Sequence, residues 1–456
     1  MAITLKREIG FFSATILVVA NMVGTGIFTT SGFIIEEIGN PQTMLLCWFV
    51  GGIFALSGAL CYGELGAMFP RTGGEYVYLR ESFGKWMGFL SGWISLIVGF
   101  SAPIAAGSIA FGTYFFRSFS FPFGPETTIP LLGVNMLAIS PAGMLAIGVI
   151  IVFSLVHYHG LLVGSRIQNG LTMFKIGLIV VFVVVGLFLG DGSTSHFSEG
   201  INMSAVFQDK FAISLIFVSF AYSGWNAAAY LGGEIEDPGK NIPLALFSGT
   251  LLVMCLYLLL NIVYIYALPA KEMSGVLDIG TKSAISLFGG NISKYFSGAI
   301  GVSLLSVLSA MIMAGPRVYY AMSKDGVFFE LFGKVNALHR TPVYAIFLQA
   351  AIAIIMVITA SFDDLLIYIG FTLSLCSMFT VAGMILLRIK RPALARNYKT
   401  FGYPVTPLLF IAGNLWIIYF SIKSRPVTSL FGLATIGLGI LVYLSFCRKK
   451  KGNDKI

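Results

Sequence analysis

Two glycine-bearing stretches inside apolar runs carry the chemistry this sequence offers. The first is Gly24-Thr25-Gly26; the second runs from Ser219 to Asn226 and holds Ser223 and Gly224. Glycines around a β-branched residue weaken a helix locally, and an opened backbone presents unpaired amides and carbonyls. In lipid such groups are tolerated only against protein or a watery cavity. A half-helix beginning at a break offers free N–H groups and the positive end of a dipole, which suits a carboxylate. One that ends there offers carbonyls, which suit an ammonium. An α-amino acid bears both charges on one carbon, although other zwitterions would match too. The rival reading of the glycines is a small-residue face where two membrane helices touch.

Lys175, within Thr172-Met173-Phe174-Lys175-Ile176-Gly177, is a basic residue deep in an apolar run. A lysine at that depth costs several kcal/mol unless it is neutral, paired or snorkelling, and its ends are too distant for easy snorkelling. Asn226 and Tyr230 stand one helical turn apart, facing either a pocket or a helix contact. Glu64 ends an apolar run and is expected in an interfacial salt-bridge network with residues such as Arg71. Glu234, Glu236 and Asp237 read as gating or structural. His157 and His159 point apart on a helix, so no metal site is expected. No carboxylate lies mid-span near the two breaks, which favours substrates with neutral side chains. No nucleophile–base pair converges, so an enzyme is not expected, and no cofactor is implied.

These groups need a membrane frame. Of the 456 residues 57% are hydrophobic and only 11% charged, too few to cover a soluble surface. Apolar runs long enough to cross the hydrocarbon recur near 9–38, 42–68, 85–116, 140–157, 166–189, 210–234, 241–268, 292–323, 341–361, 364–389, 404–422 and 427–447. The reading is an all-α membrane protein of about twelve crossings in one domain spanning 1–456. Lysines and arginines concentrate in the connections, with a roughly threefold excess on the side of both termini, placing those termini in the cytoplasm. That placement makes nucleic acid a poor partner for the +9 charge. Cys47, Cys61, Cys255, Cys376 and Cys447 lie in or beside apolar runs without redox or metal spacing. The second break lies five crossings after the first. Two five-span units of opposite topology follow, 9–189 and 210–389, with 404–447 as two added helices; discontinuous helices at matching positions point to a transporter's central site.

Those residues resemble the amino acid–polyamine–organocation superfamily, and within it the L-type transporters and bacterial serine/threonine or alanine/serine/cysteine exchangers. The resemblance covers nearly the whole chain. It rests on Gly24-Thr25-Gly26-Ile27-Phe28, Tyr62-Gly63-Glu64-Leu65-Gly66, Pro70-Arg71-Thr72-Gly73-Gly74-Glu75-Tyr76, Phe220-Ala221-Tyr222-Ser223-Gly224-Trp225-Asn226, Gly232-Gly233-Glu234-Ile235, and Arg317-Val318-Tyr319-Tyr320-Ala321-Met322 before Asp325-Gly326. It implies that the amides of Gly24, Thr25 and Gly26 hold a substrate carboxylate. Carbonyls of Met22, Phe220, Ala221 and Ser223 would meet the ammonium, and Phe220 would be the outer gate. Ser223 stands where many L-type members have glycine. Lys175 matches a lysine that takes the place of a sodium ion and braces the first and eighth spans. The outer segment 117–139 lacks the cysteine with which animal members bond a glycoprotein partner, so no disulfide-linked heavy subunit is expected.

The expectation is a cell-membrane carrier that moves neutral L-amino acids by alternating access, without sodium and preferentially by exchange. A proton-coupled symporter is the alternative within the class. A channel would need a continuous polar pore; an amino-acid-sensing receptor is the reading from another class.

Overall fold

The structure, a computed structural model, describes residues 5–119, 127–131, 134–206, 208–359, 362–424 and 426–453. The chain runs α1 (Phe11–Met22), α2 (Gly26–Ile38), α3 (Pro41–Met68), α4 (Glu75–Phe83), α5 (Lys85–Ile94), a π-helical turn (Ser95–Ser101) and α6 (Ala102–Phe119). After a hairpin of β1 (Thr127–Leu131) and β2 (Val134–Ile139) come α7 (Pro141–Tyr158), α8 (Leu161–Leu189), α9 (Met203–Val206), α10 (Asp209–Tyr222) and α11 (Ala227–Tyr230). The rest is α12 (Pro238–Ala267), α13 (Ala270–Met273), α14 (Ile279–Phe288), α15 (Ile292–Lys324), α16 (Val343–Thr359), α17 (Phe362–Lys390), α18 (Val405–Ser424) and α19 (Pro426–Asn453).

Helix boundaries follow local chemistry. Asn40 caps α3 by accepting from the Thr43 amide at 2.8 Å, with Pro41 in the first turn, and Ser140 with Pro141 does the same for α7. Among the described residues eight helices are long and apolar enough to cross a membrane, and the pair α1–α2, bent by 44°, makes nine. With α10–α11, α16 and the apolar part of α19, the chain is a helical membrane protein of about twelve crossings. α8 shows the lipid logic: Met173, Val181 and Val184 face outward while Lys175 is fully buried.

Two features depart from the sequence reading. The connection after α6 contains the antiparallel pair β1–β2, which a purely helical reading omitted although Thr127, Thr128, Ile129 and Val134 are strand formers. The run expected over 210–234 is helical only to Tyr222 and again from Ala227 to Tyr230. Gly224 sits at φ +95° and Asp237 at φ +40°, conformations that no α-helix continues through.

The core brings the breaks together. α3 and α1 both pack on α12, while α15 packs on α6 and α8. Trp48 of α3 meets Tyr222 and Tyr257 edge-on at 5.8 and 5.4 Å, tying α3, α10 and α12 into one aromatic cluster beside the second break.

Candidate functional site

The two breaks lie against each other. A Cβ added to Gly26 would stand 2.8 Å from the Cα of Ala221, so only glycine permits this approach. Gly224 is equally constrained: its left-handed backbone presses on Asn21, whose Nδ2 donates to the Gly224 carbonyl at 3.3 Å. The Tyr257 hydroxyl lies 2.8 Å from the Met22 carbonyl and 3.0 Å from that of Ala221, sharing its proton between the two helix ends. The Gly24 amide, expected to face a substrate carboxylate, instead donates to Met22 O at 2.9 Å as the chain turns out of α1, so the Met22 carbonyl is filled while that of Ala221 keeps a second lone pair.

Between the breaks is a cavity of about 150 Å³, far above the roughly 10–15 Å³ that one water needs. Met22, Gly24, Thr25, Gly26, Phe220, Ala221, Ser223, Asn226 and Tyr230 all border it. In the first turn of α2 the amides of Thr25 and Gly26 have no backbone acceptor among the described residues, as a helix start dictates. Asn21 of α1 also borders the cavity, and its Oδ1 is buried without a partner. Donors and acceptors thus converge from the two breaks on one space. Phe220 is half-buried in its wall, and the π-helical turn puts Phe100 against Tyr230, ring centroids 5.1 Å apart.

Lys175 does not border the cavity. Its ammonium is fully buried and donates to Ala20 O at 3.2 Å and, more closely, to Val23 O. Ala20 lies in the last turn of α1 and Val23 caps it, where a helix end leaves carbonyls without N–H partners. The brace on the first crossing is therefore direct. α8 packs on α15, but no hydrogen bond from Lys175 to α15 occurs among the described residues.

The absence of a carboxylate near the breaks is corrected by Glu75. It opens α4, is 4% exposed and borders the cavity. Its Oε1 accepts from the Tyr62 hydroxyl and, at 2.9 Å, from Asn226 Nδ2, which also reaches Tyr230 Oη at 3.2 Å. Asn226 and Tyr230 thus serve the cavity wall and a helix contact together. Sequence inspection missed Glu75 because it lies in the polar connection between two crossings; the Gly73-Gly74 pair before it was the available signal of a sharp re-entry. Gly73 and Gly74 have φ +123° and +52°. With Glu75 at the cavity, a missing carboxylate no longer favours neutral side chains.

The face carrying the N-terminal residues is closed beneath the cavity. Glu8 and Ile9 amides donate to Glu234 O at 3.0 Å, Arg7 reaches the carbonyls of Ile235 and Pro70, and Gly73 N donates to Tyr230 O at 3.0 Å. Glu234 holds Arg317 through two bonds of 2.8 and 3.1 Å, both side chains 1% exposed. Glu236 and Asp237 continue this turn, Asp237 leading into α12. Asp325 receives Arg80 and, at 2.7 Å, Tyr76. Glu64 is in a network, but not with Arg71: it is fully buried, accepts from Arg388 and Thr400 and pairs with Arg396 at 3.4 Å, whereas exposed Arg71 lies 3.9 Å from Glu81. Burial turns Glu64 toward α17 and the 391–400 segment rather than the surface. His157 bonds Ser309 at 2.9 Å while His159 meets His339 edge-on, so the two histidines diverge.

A sequence profile of the amino acid permease family matches residues 9–443. The serine/threonine exchanger SteT of Bacillus subtilis is 31% identical over 98% of both chains. The human large neutral amino acids transporter small subunit 2 is 29% identical, covering 97% of this chain and 80% of its own. The human cystine/glutamate transporter is 27% identical over 97% of this chain and 86% of its own.

Proposed function

We propose that this chain, which belongs to the amino acid permease family, exchanges neutral L-amino acids across the cell membrane by alternating access and without sodium. The chain is a membrane transporter rather than an enzyme, and amino acids are its cargo class. The observation carrying the finer reading is the apposition of two broken helices: free amides of Thr25 and Gly26 lie across one cavity from the carbonyl end of α10. Amides at a helix start suit a carboxylate, and freed carbonyls with Asn21 Oδ1 suit an ammonium. Phe220 is the side chain that closes over the substrate.

Lys175 supports sodium independence. A fixed ammonium already neutralises the carbonyls of Ala20 and Val23, oxygens of the kind that otherwise coordinate a sodium ion. Exchange and neutral cargo draw support from relatives named as a serine/threonine exchanger and a large neutral amino acids transporter. In this reading 9–189 and 210–389 are inverted repeats, 404–447 an added pair, and the face of residues 7–10 is cytoplasmic. The carrier works without a disulfide-linked heavy subunit, since segment 117–139 has no cysteine.

Counterflow tests the reading. Proteoliposomes preloaded with unlabelled serine should accumulate labelled serine equally in sodium and choline buffers. Uptake that requires sodium contradicts it.

A further inference from the structure

The carboxyl group of Glu75 is unusual: among the described residues no cation pairs with it. Every other strongly buried charged group described above has a defined compensation: Glu64 has Arg388 and Arg396, Glu234 has Arg317, and Lys175 has two carbonyls. Around Glu75, among the described residues, the facing titratable groups are Tyr62 of α3, Tyr78 of α4, Tyr230 of α11 and Cys376 of α17. None carries charge at neutral pH. Nearby arginines are committed elsewhere: Arg80 to Asp325 and Glu81, Arg317 to Glu234, and Arg388 to Glu64. A carboxylate taken out of water without a cation favours its neutral form.

Its place in the fold gives that proton a use. Glu75 sits on α4, which packs on α5 and α17, while its partners Tyr62, Asn226 and Tyr230 belong to α3 and the second broken helix. The floor beneath the cavity is closed where Gly73 N meets Tyr230 O and Thr72 bridges Leu231. Opening that floor parts the start of α4 from α11, and so takes Asn226 and Tyr230 away from Glu75 and lets water reach it.

We propose that Glu75 is a proton-binding site of the transport cycle, neutral while the floor is closed and deprotonated once it opens to the cytoplasm. One proton leaves a carboxylate oxygen for cytoplasmic water as the floor opens and returns from that water as it closes, with no other bond changed. This rests on the reading of the cavity as the transport site.

The sign is set by burial, which pushes this carboxyl, in a connection between crossings, from its ordinary 4.5 up to about 7 against the pull of Tyr62, Asn226 and Tyr230. The closed floor binds the proton more tightly than the open one. Its stabilisation is complete below the ordinary value and is lost as pH rises through about 7.

The test is serine counterflow at equal internal and external pH, stepped from acid to alkaline. Wild-type flux should fall about tenfold between roughly pH 6 and pH 8, as the neutral fraction of one site does. E75Q should have a flat profile whatever its absolute rate, and E75D should keep a slope. A flat wild-type profile, or E75Q with the wild-type slope, overturns the proposal. So does competition by lysine or arginine that E75Q abolishes, which would make Glu75 a counter-ion for a basic side chain. Infrared difference spectra decide the matter without flux or a folded E75Q: a buried protonated-carboxyl band should be present in wild type on the acid side and vanish on the alkaline side, shifted in E75D. Its absence on the acid side overturns the proposal. Absence of flux at every pH would instead count against the transport site.

Discussion

The ammonium of Lys175 lies 3.2 Å from the carbonyl oxygen of Ala20, in the last turn of a helix that stops at Met22. A helix ending inside a membrane protein leaves carbonyls that nothing in lipid can satisfy. Here a side chain from α8 supplies the missing donors, so the break at Gly24 and the buried charge at Lys175 are each other's remedy.

Replacing Lys175 by Ala or Met should therefore lower counterflow at least tenfold while leaving insertion unchanged. Bonds from a charged donor contribute about 1.5–3 kcal/mol each, enough for that loss. Flux and the amount of folded protein in the membrane are measured together. Near-normal flux in Lys175→Met would reduce Lys175 to a packing residue.

Gly26→Ala should abolish flux, because the added methyl would meet backbone and Cβ of Ala221 at 2.8 and 2.9 Å. Gly24→Ala should be the milder variant, its methyl coming no closer than 3.9 Å to Val307. Parallel uptake measurements check the order; equal loss in both would show that the close approach is not what matters.

The buried pair Arg317–Glu234 should behave as a unit. Removing either partner alone leaves an uncompensated buried charge and should cost about 3–5 kcal/mol of stability. Thermal unfolding of Arg317→Met, Glu234→Gln and the double variant checks this. The double variant should be more stable than the Glu234→Gln single; additive losses would argue against coupling.

Ser223 borders the cavity, and Ser223→Gly should enlarge it. Competition by leucine or phenylalanine against serine should strengthen severalfold, since one pocket group changes discrimination by about 1–3 kcal/mol. An unchanged competition panel would remove Ser223 from the side-chain compartment.

Much of this was legible in the chain because membranes enforce local rules. Apolar runs marked the crossings, and glycines in matching runs marked both breaks. All residues expected to touch substrate border one cavity. What escaped depended on distant pairing. Glu75 meets Asn226 across 151 residues and Arg388 meets Glu64 across 324, and nothing in local sequence selects those partners over Arg71. The shortness of α11 was hidden for another reason: Ala227, Ala228 and Ala229 read as good helix, while Gly224 and Gly232-Gly233 cut it short.

The central claim is exchange through the cavity between the two breaks. Purified protein in liposomes preloaded with labelled serine or alanine tests it most directly. Release should be fast when an unlabelled neutral amino acid is added outside and close to background when buffer alone is added. Release of equal rate into buffer alone, or none under either condition, would contradict the account.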